Sequence, residues 1–176
     1  SGGQGNIPHG LLQDPDMIVV KGITNNNGYW QTWHSSFGTG GTVNRVYWNS
    51  NSSNDPSANN MFKVNPGAGT ILLNSGDHFF NSASHQYIMY CWHSVPGYSK
   101  FEEYYGNGQS SDGKFVYTGF RPAFVFLKRS SGSGNNWEQR DNVRNPHNPA
   151  DSRLFANTGD TCLLYTSPSP RDSCAS

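Results

Sequence analysis

Apolar residues occur in short runs separated by Gly, Pro, Asn and Asp, and helical periodicity is almost absent. The runs are rich in β-branched and aromatic residues, which is typical of strands joined by tight turns. The pattern predicts an all-β fold, an antiparallel sandwich or barrel. The expected strands are MIVVK (17–21), YWQTWHS (29–35), NRVYWN (44–49), TILL (70–73), QYIMYCWHSV (86–95), KFVYTGF (114–120) and AFVFLKR (123–129).

The alternation within these runs predicts how each strand is covered. The runs MIVVK and AFVFLK do not alternate, so both are expected to be central strands that are covered on both faces. The run YWQTWHS mixes polar and aromatic positions, which indicates a half-exposed strand.

An internal repeat organises the chain. Segment 15–36 aligns with segment 122–143 without a gap, and the same register sets RVYWNSN (45–51) against SRLFANT (152–158). Three pairs of anchors share one sequence offset: Pro15 and Pro122, Lys21 and Lys128, and Trp30 and Trp137. The repeat predicts a complete sandwich unit in 1–114 and a truncated second copy in 115–161. The truncated copy is expected to be poorly ordered alone, or to borrow a sheet edge from the first unit.

The last fifteen residues, 162–176, differ from the rest of the chain. The stretch CLLYTSPSPRD resembles the translation of a sequencing-library adapter, and it replaces the expected continuation of the second copy. We therefore expect a non-native tail that packs against nothing and has no bond between Cys162 and Cys174. The alternative is a genuine Pro/Ser linker with a redox pair. Cys91, within an apolar run, is expected to be a small buried hydrophobe.

Composition and charge exclude some classes of binding partner. Twelve basic residues balance twelve acidic ones, with no basic stripe to neutralise a phosphate backbone, so nucleic acid is not an expected partner. No run approaches the roughly 18 apolar residues of a membrane span. The start SGGQGNIPHG has neither Met nor a signal pattern, so the chain is expected to be a piece of a longer protein.

Metal and cofactor sites find little support. The histidines His9, His34, His78, His85, His93 and His147 form no close ligand pair, and Asp77 beside His78 is a weak lead. The loop RDNVRNPHNPAD (140–151) could offer Asp141 and Asp151 to Ca²⁺, but Asx-turns with Arg–Asp pairs explain it better. We expect no cofactor and no resident metal, and the Ca²⁺ question for this loop stays open.

Catalytic motifs are also missing. Glu102 and Glu103 are neighbours on an apparent strand and would point to opposite faces, unlike the paired acids of a glycosidase. The G-x-G in YYGNGQSSDGKF (104–115) is explained by two turns, at Asn107-Gly108 and Asp112-Gly113, that join strands. The sequence therefore predicts a non-enzymatic protein.

Aromatic residues are the better functional lead. Trp30 and Trp33 are three positions apart, so on a strand they face opposite ways. Trp30 aligns with Trp137, whereas Trp33 aligns with Arg140, a pairing that indicates exposure of Trp33. We expect Trp30 in the core and Trp33 on the surface, where it is the one candidate ligand-binding residue, for a sugar ring or a protein interface. The alternative, given equal weight, is that Trp33 is an ordinary surface residue that binds no ligand.

Three segments resemble the tandem modules of marine bacteriophage tail or fibre proteins: IPHGLLQDPDMIVVK (7–21), YIMYCWHSVPGYSKFEEYYGNGQSSDGKFVYTGFRPAFVFLKR (87–129) and NVRNPHNPADSRLFAN (142–157). The resemblance implies an antiparallel β-sandwich of the jelly-roll or lectin-like kind. It also implies a structural or adhesive module on a virion, with tail subunits as partners and host-surface polysaccharide as a further ligand. It leaves homo-oligomerisation open. The alternative is a carbohydrate-binding module of a secreted or virion-associated glycan-degrading enzyme.

Overall fold

The computed structural model describes residues 3–24, 29–38, 44–53, 62–73, 80–109, 112–147, 150 and 152–159. Its strands form three antiparallel sheets, so the prediction of an all-β fold is confirmed. One 3-10 turn, Ser35–Phe37, follows the third strand. The strands are β1 (Gly5–Pro8), β2 (Met17–Gly22), β3 (Trp30–His34), β4 (Val46–Tyr47), β5 (Phe62–Asn65), β6 (Thr70–Leu73), β7 (Tyr87–Trp92), β8 (Phe124–Leu127), β9 (Glu138–Asp141) and β10 (Leu154–Phe155).

Two of the sheets pack face to face as a β-sandwich. One has the strand order β4-β3-β2-β7 and the other the order β1-β6-β5. A single buried cluster joins them, and the face of the four-stranded sheet that contributes to it is called the inner face here. The cluster comprises Ile18, Val20 and Trp33 from the four-stranded sheet, Val64, Ile71 and Leu73 from the three-stranded sheet, and Phe80.

The β5–β6 hairpin shows how local sequence determines the covering sheet. In the connection Asn65-Pro66-Gly67-Ala68, Pro66 presets its φ and Gly67 adopts a φ of 69°. The turn closes when the Ala68 N–H donates to the Asn65 carbonyl over 3.1 Å. Both carboxylate oxygens of Asp14 accept from the Gly67 N–H, at 3.1 and 3.0 Å. The segment before β2 therefore holds the turn of the opposite sheet.

The third sheet has the order β10-β9-β8, which matches the order β4-β3-β2 in the first sheet. The strands β2–β4 are called the first hairpin here, and β8–β10 the second hairpin. The two hairpins have equivalent backbone hydrogen bonds. The Ser35 N–H donates to the Asp16 carbonyl at 2.8 Å, and the Asn142 N–H donates to the Ala123 carbonyl at 3.0 Å. The two donors, Ser35 and Asn142, are separated by the same number of residues as Trp30 and Trp137. The two acceptors, Asp16 and Ala123, have that separation too.

The gapless register of the repeat is wrong after β9, by one residue. The Trp30 N–H donates to the Asn49 side chain at 3.0 Å, and the Trp137 N–H donates to the Asn157 side chain at 2.7 Å. Asn49 therefore corresponds to Asn157 rather than to Ala156, the residue that the gapless alignment sets against it. The β9–β10 connection is one residue longer than its β3–β4 counterpart, and turn hydrogen bonds, not sequence spacing, determine which residues match.

Most of the expected strands are present. The runs 17–21, 29–35, 44–49, 70–73, 86–95 and 123–129 each contain a strand, and β2 lies in the interior of its sheet with both faces covered, as predicted. The expectation that 29–35 is half-exposed is wrong, because Gln31, Thr32 and Trp33 are all buried. Strands β1, β5, β9 and β10 were not among the strands expected from the sequence.

Two further expectations about strands are wrong. The run 114–120 contains no strand, because no strand of the described residues lies beside it to accept its backbone hydrogen bonds. Strand β8 is an edge strand rather than a central one, with Phe124 and Val125 exposed. In the first sheet, the position beyond β2 is filled by β7. The missing strand at 114–120 and the edge position of β8 have one cause. Fewer described strands surround the second hairpin than the first.

The predicted surface position of Trp33 is also wrong. Trp33 is 1% exposed within the sandwich core, and its ring N–H donates to the Gly38 carbonyl at 3.0 Å. Trp30, expected in the core, is only half-buried and lies on the opposite face of the sheet. The match of Trp33 with Arg140 misled the assignment, because the three-stranded sheet covers Trp33 and no equivalent sheet of the described residues covers Arg140.

Cys91 packs against the sandwich core and is half-buried, which agrees with its expected role as a small hydrophobe. Burial raises the pKa of its thiol to about 11. Cys162, Cys174 and the rest of the tail lie outside the described residues, so the adapter interpretation stays a prediction. Across the described ranges, no helix is long and apolar enough to cross a membrane.

Replacing Trp33 with Ala should destabilise the protein by about 3–5 kcal/mol, because it leaves a large cavity between the two sheets. Chemical denaturation monitored by circular dichroism measures this loss. Trp30→Ala is the matched control on the same strand, and its cost should be smaller because its ring is half-buried. An equal or larger loss for Trp30→Ala would contradict the assignment of the core.

Cys91 should react slowly with a thiol reagent at a pH of about 8 in the folded protein, because the raised pKa leaves little thiolate. Its labelling rate should rise as the pH approaches the pKa of about 11, and it should become fast in denaturant at the lower pH. A variant with Cys162→Ser and Cys174→Ser isolates the Cys91 signal. Fast labelling of that folded variant at the lower pH would contradict the described packing.

Candidate functional site: an aromatic face shared by two sheets

The outer face of the four-stranded sheet, opposite the sandwich core, carries a row of aromatic rings. The rings of Trp30 and Tyr90 are nearly parallel, with centroids 6.4 Å apart and an interplanar angle of 19°. Those of Tyr90 and Trp92 are also nearly parallel, at 5.9 Å and 15°. Trp48 contacts this row edge-on, 6.3 Å from Trp30 and 6.4 Å from Trp92. The sheet therefore presents a preorganised aromatic surface that extends from β3 to β7, the two strands on either side of β2.

The second hairpin packs its own aromatic residues against this face. The Phe126 ring lies 5.2 Å from Trp48 and 4.8 Å from Trp137, stacked on the latter at 19°. Phe124 extends the row by stacking on Phe126 at 6.1 Å. Together these rings form one aromatic cluster across two sheets: Trp30, Trp48, Tyr90, Trp92, Phe124, Phe126 and Trp137.

Polar contacts hold the hairpin in place. The ring N–H of Trp137, a residue only 5% exposed, donates to the Tyr47 carbonyl at 2.7 Å. The Lys128 ammonium lies 5.8 Å from the Trp137 ring centre, and burial, followed by the charge of Arg129, lowers its pKa to about 8. A Cβ at Gly134 would overlap the Asn51 carbonyl oxygen, so the β8–β9 loop approaches the first unit as closely as glycine allows.

Each hairpin also stacks an arginine on an aromatic ring. The Arg45 guanidinium lies 5.5 Å from the Tyr47 ring centre, and the Arg153 guanidinium lies 5.2 Å from that of Phe155. The two pairs correspond to each other in the corrected register. Arg45, just before β4, and Arg153, just before β10, therefore both contribute to packing. No ligand is needed to explain either arginine.

Part of the aromatic row reaches solvent. Tyr90 is 39% exposed and Ile88, two residues earlier on β7, is 38% exposed. Other exposed rings lie on the irregular segment between β7 and β8 and belong to no stacked row: Tyr98, Tyr104, Tyr105, Phe115 and Tyr117. Tyr90 is thus an accessible ring that lies beside two nearly parallel rings, those of Trp30 and Trp92.

An open depression of about 490 Å³ lies on the other face of the second hairpin. Val125, Arg140, Pro122 and His147 are among its lining residues. Arg140 donates to the Ala150 carbonyl and pairs with Glu138 at 3.2 Å, so its donors already contact protein groups. The depression lies on the face of the second hairpin that corresponds to the face of the first hairpin covered by the three-stranded sheet. No sheet of the described residues covers it.

The loop after β9 is held by its own side chains, as predicted. Asp141 accepts from the N–H groups of Val143 and Arg144 at 3.1 and 2.8 Å, an Asx-turn, and from the Arg144 side chain at 2.7 Å. These Arg144 bonds hold the pKa of Asp141 below its usual value. Asp151 lies outside the described residues, so the Ca²⁺ question for this loop remains open.

The described histidines make local contacts. The His34 ring accepts from the Ser36 N–H at 3.2 Å, and the His9 ring accepts from the Leu11 N–H at 3.2 Å. Burial lowers the pKa of His34, while Asp16 and Glu103 oppose that shift. In the part of the chain that the structure describes, no three His, Cys, Asp or Glu side chains are grouped as a metal site would need. Asp77 and His78 are outside it.

The expected strand at Glu102 and Glu103 is wrong, because both residues lie in an irregular segment. Glu102 pairs with Lys100 at 2.7 Å. Gly108 adopts a φ of 72°, and the Asn107 side chain accepts from the Gln109 N–H at 3.2 Å. The Asn107 side chain therefore makes a local Asx-type bond, but the predicted turn that joins two strands is not found at Asn107-Gly108.

Sequence reasoning missed the aromatic row on β7. Ile88, Tyr90 and Trp92 alternate with Tyr87, Met89 and Cys91, so the strand has two apolar faces. The second set packs on the sandwich core and the first set points outward. This alternation was readable in the sequence, but an apolar run on both faces resembles a fully buried strand.

The profile of one protein family, described as a domain of unknown function (DUF7483), matches residues 1–167. The matched region includes the whole described structure and also residues 162–167 of the tail. The comparisons with curated proteins and with solved structures gave no significant match.

Replacing Trp137 with Phe should loosen the second hairpin, because Phe keeps the stacked ring but loses the donor to the Tyr47 carbonyl. A net loss of about 0.5–1.5 kcal/mol corresponds to a roughly two- to twelvefold increase in local opening. Amide exchange measured by NMR should therefore accelerate in β8 and β9. Trp33→Phe, which loses the bond to Gly38, is the control and should act on β2 and β3. Equal acceleration of both regions by Trp137→Phe would contradict a separable hairpin.

Proposed function

We propose that this chain, which belongs to the DUF7483 family, is a non-enzymatic structural and adhesive module that recognises surface glycans. The observation that carries the proposal is the exposed ring of Tyr90, which lies beside the nearly parallel rings of Trp30 and Trp92. Sugar rings have apolar C–H faces, and accessible aromatic side chains are suited to pack against them. Trp33, the ligand contact expected from the sequence, is buried and has no part in the proposal.

Rigidity supports a binding role for this ring. A side chain whose rotamer is fixed before the ligand arrives loses little conformational entropy on binding. Tyr90 lies on a strand that pairs with β2 over its whole length, and stacked neighbours flank its ring. The exposed tyrosines on the irregular segment have no comparable stacked neighbours, so ordering them would cost more.

The wider setting is a second part of the proposal. The module would be one unit of a bacteriophage tail or fibre protein, displayed on the virion beside other tail subunits. Its support is the resemblance in GYSKF (97–101) and GFRPAFV (119–125), together with two successive hairpins of the same strand order. The complete parent gene tests this setting. Further copies of the unit beside virion genes are expected, and a single copy among metabolic genes would contradict it.

Glycan binding by the purified chain should depend on Tyr90. On a glycan array, Tyr90→Ala should weaken binding about two- to twelvefold, which corresponds to losing roughly 0.5–1.5 kcal/mol of ring contact. Tyr90→Phe should retain binding, because stacking uses the ring rather than the hydroxyl group. Tyr105→Ala, which removes an 81% exposed ring elsewhere, is the matched control and should bind normally.

Two results would count against the proposal. No binding to any glycan would contradict the adhesive role, and unchanged binding by Tyr90→Ala would contradict the assigned contact. A hydrolysis assay on every bound glycan runs in parallel. Turnover there would favour the alternative, a carbohydrate-binding region of a glycan-degrading enzyme.

A further inference from the structure

The depression on the second hairpin combines arginine side chains with apolar ones. Arg121 and Arg140 both line it, together with Pro122 and Val125. Arg140 lies directly opposite Val125 in the β8–β9 register, so the two side chains share one face of the hairpin. At the position of Arg140, the first hairpin has the buried Trp33. The second hairpin therefore carries a guanidinium group beside apolar side chains where the first hairpin carries core.

Both arginines retain N–H donors that their contacts with the protein do not use. A guanidinium group has five N–H donors. Arg140 gives one to the Ala150 carbonyl and one to the Glu138 carboxylate. Among the described residues, Arg121 makes one bond, to the Pro146 carbonyl at 3.3 Å. Pro146 and Ala150 belong to the same loop after β9, so this loop holds both guanidinium groups and leaves their remaining donors to a ligand.

The acidic groups beside the depression are already paired with arginines. Asp141, an acid among the lining residues, accepts from the Arg144 side chain at 2.7 Å. Glu138 pairs with Arg140 and with Arg153, at 3.2 Å in each case. With the second lining arginine included, four arginines accompany these two acids around the second hairpin. An anion in the depression therefore meets a net positive charge.

We propose that this depression binds the carboxylate of an acidic sugar, a uronic acid within a surface polysaccharide. The planar fork of a guanidinium group matches a carboxylate through two parallel hydrogen bonds, which a neutral sugar cannot accept in the same way. Pro122 and Val125 offer apolar surface to the C–H face of the sugar ring. The volume of about 490 Å³ lies within the roughly 300–1,000 Å³ of small-molecule sites.

This second site is separate from Tyr90. Val125 points to the face of the second hairpin opposite to the one on which Phe124 and Phe126 join the aromatic cluster. The choice of a sugar as the carrier of the carboxylate rests on the proposed glycan recognition, whereas the arginine pair and the charge balance do not depend on it.

Two methyl glycosides that differ in one group test the site in the whole chain. Methyl β-glucuronide carries a carboxylate where methyl β-glucoside carries a hydroxymethyl group. In an NMR titration, the glucuronide should shift the amide signals of Val125 and Arg140. It should bind at least about tenfold more tightly than the glucoside, because its hydrogen bonds to arginine are charge-assisted. Acetate, which has the carboxylate without the ring, should bind more weakly than the glucuronide.

Arg121→Gln gives the sharpest variant, because Arg121 is exposed and its loss leaves Arg140 to hold the loop. It should weaken glucuronide binding at least about tenfold. Arg121→Lys keeps the charge without the fork and should recover only part of the affinity. Arg153→Gln is the matched control, since it removes the same charge from the same hairpin but does not line the depression. It should bind within a few-fold of the original chain.

Four results would each overturn the proposal. They are no binding of the glucuronide, equal binding of the two glycosides, equal binding of acetate and the glucuronide, and equal losses from Arg121→Gln and Arg153→Gln. The last result would mean that only the overall charge of the hairpin attracts the anion. Tyr90→Ala should leave glucuronide binding unchanged, and its binding to the glycan array is measured separately, so either proposal can fail alone.

Discussion

Strand β2 must be buried on both of its faces, and the arrangement of the other sheets depends on this constraint. Ile18 and Val20 point to one side and Val19 to the other, and all three are at most 1% exposed. Because side chains alternate along a strand, an unbroken apolar run can be removed from water only by two covering layers. The three-stranded sheet covers the inner face, and aromatic rings with the second hairpin cover the outer face.

This constraint makes two similar hairpins unequal. The first hairpin is covered on both sides. The second hairpin covers the first, and no sheet of the described residues covers its own other face. A tryptophan is therefore suited to position 33, between two sheets, and an arginine to position 140, beside an open depression. Position 30 and its counterpart 137 both carry tryptophan because both belong to the aromatic cluster where the sheets meet.

The aromatic cluster joins packing to function. Rings such as Trp137 are buried and hold the two sheets together, while Tyr90, in the same row, remains accessible. The buried members fix the orientation of the accessible one, so the surface available to a ligand is rigid because the interface behind it is packed. Among the described residues, no strand pairs with the outer edge of β8.

The sequence by itself determined the all-β class and the position of most strands, because runs of β-branched and aromatic residues bounded by turn residues are a local signal. It also located β2 as a central strand and the self-contained loop around Asp141. Only the tertiary structure decided which residues are accessible. Trp33 and Trp30 exchange their expected environments, and the edge position of β8 follows from which strands are beside it. Exposure depends on neighbours distant in the chain, and a pattern read along one strand does not contain the identity of the sheet that covers it.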